Sequence, residues 1–157
     1  RSERGRPWRV TLQDPFAGRG RAVLLLELTD RAVATSGDYR RYSTIAGRRI
    51  SHIVDPRTGR PVEGASSVTV LAPDATTADA WATGLSVLGP DGIPLAERAG
   101  LEVLMITGPP ERAAVHFSEG FARHVAAGWP PRVRPTGRPG KPAAKTTRTR
   151  PSARASQ

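Results

Sequence analysis

The composition of the chain breaks at one point, and that break limits what can fold. From Ala127 to Gln157 there are eight Lys or Arg residues and no Asp or Glu, and beyond Trp129 the one large apolar side chain is Val133. A segment of Pro, Gly, Lys, Arg, Thr and Ser cannot bury enough surface to offset the entropy of ordering it, so residues 127–157 are predicted to be a disordered basic tail. The folded unit then falls within residues 1–126, enough for one ordinary domain. Charge divides at the same place. Of the 24 basic residues, eight sit in the tail, which leaves 16 against 14 acidic residues before it. The net charge of +10 is therefore mostly a property of the tail. Such a tail suits contact with an acidic surface, but a run of like charge is more often simply solvated. No aromatic or glycine pattern of a nucleic-acid module accompanies it, so no specific nucleic-acid partner is expected.

The chain has no cysteine, which excludes disulfides, thiolate metal sites and Cys nucleophiles. Its richest apolar run, Ala22 to Leu28, is the size of a strand and far short of the ~20 residues of a membrane span. Alternation of large and polar side chains predicts a strand at Trp8–Gln13, and a second strand at Ala22–Thr29 and a short extended segment at Ala32–Thr35 follow it. Tyr42–Ile45 and Arg49–Val54, separated by Ala46-Gly47-Arg48, read as a hairpin. A Val-rich strand at Ser66–Leu71 follows, and then Thr76–Leu88 takes up helical spacing, with Ala80, Thr83, Gly84 and Val87 on related faces. Asp74 and Thr76 are candidate N-caps for that helix, and Gly89-Pro90 stops it. A short helix at Ile93–Ala99, a strand at Leu101–Thr107 and a pairing segment at Ala113–Phe117 complete the pattern, before a short segment from Gly120 to Ala126. Strands and helices mix without regular βαβ alternation, so the expected class is α+β, with a mixed, mainly antiparallel sheet and packed helices.

Three segments carry polar residues that a purely structural sequence does not need. Thr35-Ser36-Gly37-Asp38-Tyr39, at a strand end, offers hydroxyls and backbone N–H groups able to cradle a phosphate or ribose, although Ser-Gly-Asp is also an ordinary turn. In Ser51 to Gly59, strand alternation sets His52 and Val54 on one face and Ser51, Ile53 and Asp55 on the other. His52 has a side chain whose pKa suits a general base, and a hairpin histidine bonded to a neighbouring carbonyl is the simpler local account. His116 and His124 lack any supporting pattern and read as structural or surface residues. Asp79 and Thr83 stand at i and i+4 on the predicted helix, so a carboxylate and a hydroxyl lie on one face, one turn apart. Hard oxygen ligands of this kind suit Mg²⁺, and spacing alone leaves that reading level with a solvated helix face.

Taken in order, the segments ATSGDYRRY (34–42), SHIVDPRTGRPV (51–62), SVTVLAPDATTADAWATGLSVLG (67–89) and LEVLMI (101–106) resemble the ApbE family of FAD:protein FMN transferases. The resemblance spans roughly Trp8 to Ala126 and implies a partial ApbE-like fold. It implies an enzyme that uses Mg²⁺ and takes FAD as substrate, attaching FMN to a Thr or Ser hydroxyl of an acceptor protein and releasing AMP. Related members resemble an FAD pyrophosphatase, which yields FMN and AMP, and an inactive flavin-binding fragment is a further alternative. By motif, the resemblance makes Asp79 and Thr83 metal ligands, His52 the catalytic base, and Thr35, Ser36, Gly37, Asp38 and Tyr39 the loop lining the flavin nucleotide. Asp55, Thr58 and Gly59 match a signature loop beside it. A complete member is about twice as long, so residues 1–126 correspond to a C-terminal half. The missing N-terminal half, with the remaining metal ligands, is an expected partner. Members often work on the outer side of the cytoplasmic membrane, which sets the expected location in the cell envelope.

Overall fold

A computed structural model describes residues 5–17, 20–37, 42–45 and 48–128, with backbone alone at 42–45 and 48–49. The tail from residue 129 onward, together with Asp38 and Tyr39, lies outside the described residues. Strand-forming alternation yields β1 (Trp8–Gln13) and β2 (Ala22–Leu28), paired antiparallel with Leu12 opposite Leu24, followed by β3 (Ala32–Ser36). Two short ribbons come next: β4 (Tyr42–Ile45) with β5 (Arg48–Ser51), and β6 (Val54–Asp55) with β7 (Arg60–Pro61). The continuous strand expected over 49–54 is broken. Ser51 Oγ accepts from the Ile53 N–H at 3.2 Å, a local side-chain bond that competes with ladder bonds and ends β5. The alternation itself survives the break, with Ile53 buried and His52 and Val54 exposed.

The central element is β8 (Ala65–Ala72), which lies between β3 on one side and β9 (Glu102–Thr107) on the other, while β10 (Ala114–Phe117) extends the sheet. All pairings in this four-stranded sheet are antiparallel. Between β8 and β9 the chain forms α1 (Ala75–Leu88) and α2 (Ile93–Arg98). Asp74 is the cap of α1: its Oδ1 accepts from Thr77 N–H at 2.8 Å and its Oδ2 from the Thr77 hydroxyl at 2.7 Å. Those bonds, the backbone one foremost, hold the Asp74 carboxyl below its ordinary pKa. Gly89, at φ +67, ends the helix by returning its N–H to the Leu85 carbonyl.

The sheet has a core on each face. On one, Val68, Val70 and Ala72 of β8 and Val103 and Met105 of β9 pack against Ala78, Ala82 and Leu85 of α1 and Ile93 and Ala96 of α2. On the other, Leu71, Leu104 and Ile106 meet Leu12, Val23, Leu26 and Leu28 of the β1–β2 hairpin, with Phe121 from the 3₁₀ turn Phe121–His124. The buried stripe of α1 thus runs through Ala78, Ala82 and Leu85. The stripe Ala80, Thr83, Gly84 is exposed, with Val87 half-buried at its end. Helices, sheet and hairpin form three layers, an α+β arrangement. No helix among the described residues is long and apolar enough to cross a membrane.

Candidate functional site

The period-two alternation of β3 separates its residues by face. Ala34 packs on the helix side and Val33 on the hairpin side, so Ser36 turns toward α1 and Thr35 away from it. Ser36 Oγ and Thr83 Oγ1 lie 3.2 Å apart, joining the strand-end loop to the open face of α1 across 47 residues of sequence. Thr35 Oγ1 instead meets Thr69 Oγ1 of β8 at 2.9 Å. The two hydroxyls that share one sequence motif therefore serve opposite faces of the sheet. Gly37 follows Ser36 at the strand end, half-buried.

Asp79 is exposed one helical turn before Thr83, and among the described residues nothing pairs with its carboxylate. No group of three or more His, Asp or Glu side chains gathers as a metal site among the described residues. The donors on this face are one free carboxylate and two hydroxyls. All are hard oxygen ligands, and that set fits a cation such as Mg²⁺ better than a softer metal. A Cβ added at Gly84 meets nothing within 4 Å, so the helix face beside these donors is open.

The Asp55–Gly59 loop holds its own shape. The Arg57 side chain donates to both Asp55 oxygens, with Nη2 at 2.8 Å from Oδ2, and the Arg57 N–H reaches Oδ1 at 2.9 Å. The Gly59 N–H donates to the Asp55 carbonyl at 2.8 Å, and the Arg60 N–H to Thr58 Oγ1 at 3.3 Å. The side-chain bond to Arg57 is the main reason the Asp55 carboxyl is held below its ordinary range, and the same bond raises Arg57. Asp55 and Thr58 are thus occupied in fixing the turn. His52 is exposed just before it and takes part in an interaction of its own. Beside the loop opens a cleft of about 480 Å³, lined by Asp55, Thr58, Arg60, Val62 and Glu63 and closed on the helix side by Val87. Val87 is four residues beyond Thr83, so this cleft continues the helix stripe that carries the oxygen donors.

Sequence reasoning missed a second polar group. Glu102 opens β9 with a side chain only 5% exposed; it forms an ion pair with Arg123 and lies against the His124 ring. His124 Nε2 lies 2.7 Å from Oε2, without the geometry of a hydrogen bond, so among the described residues that buried oxygen has no donor. Burial first, and then Arg123 and Arg31, push His124 below its ordinary pKa. The same Nε2 accepts from Arg123 Nε at 3.5 Å, as a neutral imidazole nitrogen can. The available signal was a charge at the head of an otherwise apolar strand. His116, whose Nε2 meets Thr107 Oγ1 at 3.1 Å between paired strands, is structural, as expected.

Fold and site together define a class: an α+β domain that presents hard oxygen donors on an open helix face beside a self-bonded polar turn. Residues 1–105 match the ApbE family, and the chain belongs to that family. The FAD:protein FMN transferase of Escherichia coli K12 is 47% identical over 105 residues, which are 66% of this chain and 30% of that protein. The Vibrio cholerae O395 protein of the same name is 40% identical over 129 residues, covering 81% of this chain and 36% of the relative. Among solved structures, the ApbE protein of Thermotoga maritima superposes with a TM-score of 0.68 at 38% identity, over 76% of this chain and 38% of that one. The apo flavinyl transferase ApbE of Pseudomonas stutzeri gives 0.61 at 35% identity, over 78% and 38%. The matched part of the chain spans about a third of the length of these relatives.

Proposed function

We propose that this chain forms part of an FAD:protein FMN transferase, which uses Mg²⁺ and FAD to place FMN on a Thr or Ser hydroxyl of an acceptor protein. The names of its relatives support the reaction class. The observation that carries the reading is the 3.2 Å approach of Ser36 Oγ to Thr83 Oγ1, one turn from the unpartnered Asp79 carboxylate. Asp79 and Thr83 would hold Mg²⁺, which when bound neutralises charge on the diphosphate as a P–O bond breaks. Ser36 and Gly37 with the neighbouring residues Asp38 and Tyr39 would line the nucleotide, and the Asp55–Gly59 turn would wall it in. His52 would accept the proton of the acceptor hydroxyl. The hydroxyl oxygen bonds to the phosphorus of the FMN half, the bridging oxygen leaves with AMP, and the proton moves to the imidazole.

The test is Asp79→Ala in a full-length protein that carries this segment, assayed with FAD, Mg²⁺ and an acceptor. FMN transfer should fall by about 100-fold and recover in part at raised Mg²⁺, as for loss of a metal ligand. The circular dichroism spectrum should stay unchanged, because Asp79 is exposed. FMN transfer at the original rate in that variant would reject the reading.

A further inference from the structure

Helix α1 carries two hydroxyl side chains in neighbouring turns, Thr83 and Ser86, and they use their protons differently. Ser86 is buried and donates back to the Ala82 carbonyl at 2.9 Å, the habit of a hydroxyl inside a helix. Thr83 is exposed, and among the described residues its hydroxyl bonds across to Ser36 Oγ of β3 at 3.2 Å and not back to the Asp79 carbonyl. The neighbouring Thr35 hydroxyl is held on the other face of the sheet by Thr69 Oγ1 at 2.9 Å, so Ser36 is the hydroxyl of its motif that reaches α1. A hydroxyl has one proton and two acceptor lone pairs, so one that holds a cation must turn its proton away from it. Ser36 Oγ is placed to take that proton. Both Thr83 lone pairs are then left for the open helix face that Asp79 shares one turn away. Had Thr83 bonded back as Ser86 does, its proton would lie along the helix and its oxygen would be set by the helix alone.

We infer that Ser36 is a positioning residue for the cation: its hydroxyl accepts the Thr83 proton and so fixes the Thr83 oxygen with its lone pairs toward the place it shares with Asp79. The inference rests on the flavin-transfer reading and deepens it, because the Ser36 side chain then acts through Thr83, and Ser36 lines the nucleotide with its backbone. The strand that delivers this hydroxyl is held along its whole length, Ala32 to Ser36 pairing with Ala72 to Val68 of β8. A group carried on a paired strand keeps its partner's orientation more closely than one carried on a loop.

Full-length protein carrying this segment tests the inference with Mn²⁺, a hard divalent cation whose free form is read by its paramagnetic resonance signal. Titration without nucleotide gives cation affinity, and quenching of FAD fluorescence in EDTA gives nucleotide affinity free of metal. Ser36→Ala should weaken Mn²⁺ binding by about tenfold, as when a partner that orients a metal ligand is lost, while FAD affinity in EDTA moves by less than about twofold. Ser36→Thr, which keeps the hydroxyl, should recover most of that loss. In a Thr83→Val background, Ser36→Ala should change Mn²⁺ affinity by less than about twofold, because no hydroxyl is left to orient. Unchanged Mn²⁺ affinity in Ser36→Ala overturns the inference, as do equal losses in Ser36→Ala and Ser36→Thr or an undiminished loss in the Thr83→Val background. A fall in metal-free FAD affinity with Mn²⁺ binding intact overturns it too, since the hydroxyl would then belong to the nucleotide. Failure of the underlying reading shows itself differently: the native protein binds no Mn²⁺, or Asp79→Ala binds it as tightly as the native protein, and this inference falls with it.

Discussion

A carboxylate can head a buried strand only where a partner follows it into the interior, and Glu102 meets two consecutive residues of one 3₁₀ turn, its ion-pair partner Arg123 and the ring of His124. The ion pair is asymmetric. Glu102 is 5% exposed while Arg123 is 64% exposed, so the arginine can return to water and the glutamate cannot. Glu102→Gln should therefore lower stability by about 1–3 kcal/mol, and Arg123→Ala by less, in urea unfolding. His124 adds a pH dependence with a definite sign. Its folded pKa lies below the ordinary value, so as pH falls the unfolded chain takes up the proton first. The contribution is complete above about pH 6.5 and is lost progressively below it. Glu102, Arg123 and Arg31 are the charged groups facing the ring. His124→Gln, which keeps a polar side chain but does not titrate, should flatten the fall in Tm between neutral and mildly acid pH. A slope identical to the native protein's would show that His124 does not set it.

Helix α1 places the donors of the candidate site, and its two ends hold it by different means. Asp74 caps the start through Thr77, and its lowered pKa means that the cap acts above the ordinary carboxyl range and weakens as pH falls through the folded value. Asp74→Ala should lower Tm by a few degrees at neutral pH. Asp74→Asn, which keeps an acceptor, should retain most of the cap and remove its acid sensitivity below about pH 4. At the other end a Cβ on Gly92 would lie 2.8 Å from both Leu85 Cδ2 and Leu88 Cβ, so Gly92→Ala should cost about 1–3 kcal/mol through overpacking. This helix was legible in the sequence because cap, spacing and stop are all local. So was the set of strands, apart from the break after Ser51, which depends on a single side-chain bond, and the short β6–β7 ribbon, for which no strand was expected at Arg60–Pro61. The partner of β3 was not legible: Thr35 finds Thr69 across 34 residues, and Ser36 finds Thr83 across 47. Spacing put Asp79 and Thr83 on one face without choosing between a ligand site and a solvated surface. The hydroxyl that meets Thr83 comes from another element, and only tertiary packing reveals it.

Strands β8 and β9 supply side chains to both cores, Val70 and Val103 to one face and Leu71 and Leu104 to the other. Neither the helical layer nor the hairpin layer can leave without exposing the opposite side of the same two strands. The layers should consequently unfold together, although they are built from separate stretches of chain. Leu85 and Phe121 are both buried, one in each core, and belong to no common cluster. Leu85→Ala should cost about 2–5 kcal/mol and Phe121→Ala about 3–5 kcal/mol, with the double variant close to their sum because the two sites share no neighbours in either cluster. The probe that decides is Trp81, which packs against the helical core. In a chain with Trp8 and Trp129 changed to Phe, its fluorescence should follow the same urea transition as far-UV circular dichroism, and Phe121→Ala on the far face should shift both by the same amount. If Phe121→Ala moved the circular dichroism transition and left the Trp81 transition in place, the shared sheet would not couple the two layers, and the helix face bearing Asp79 and Thr83 would be held by the helical core alone.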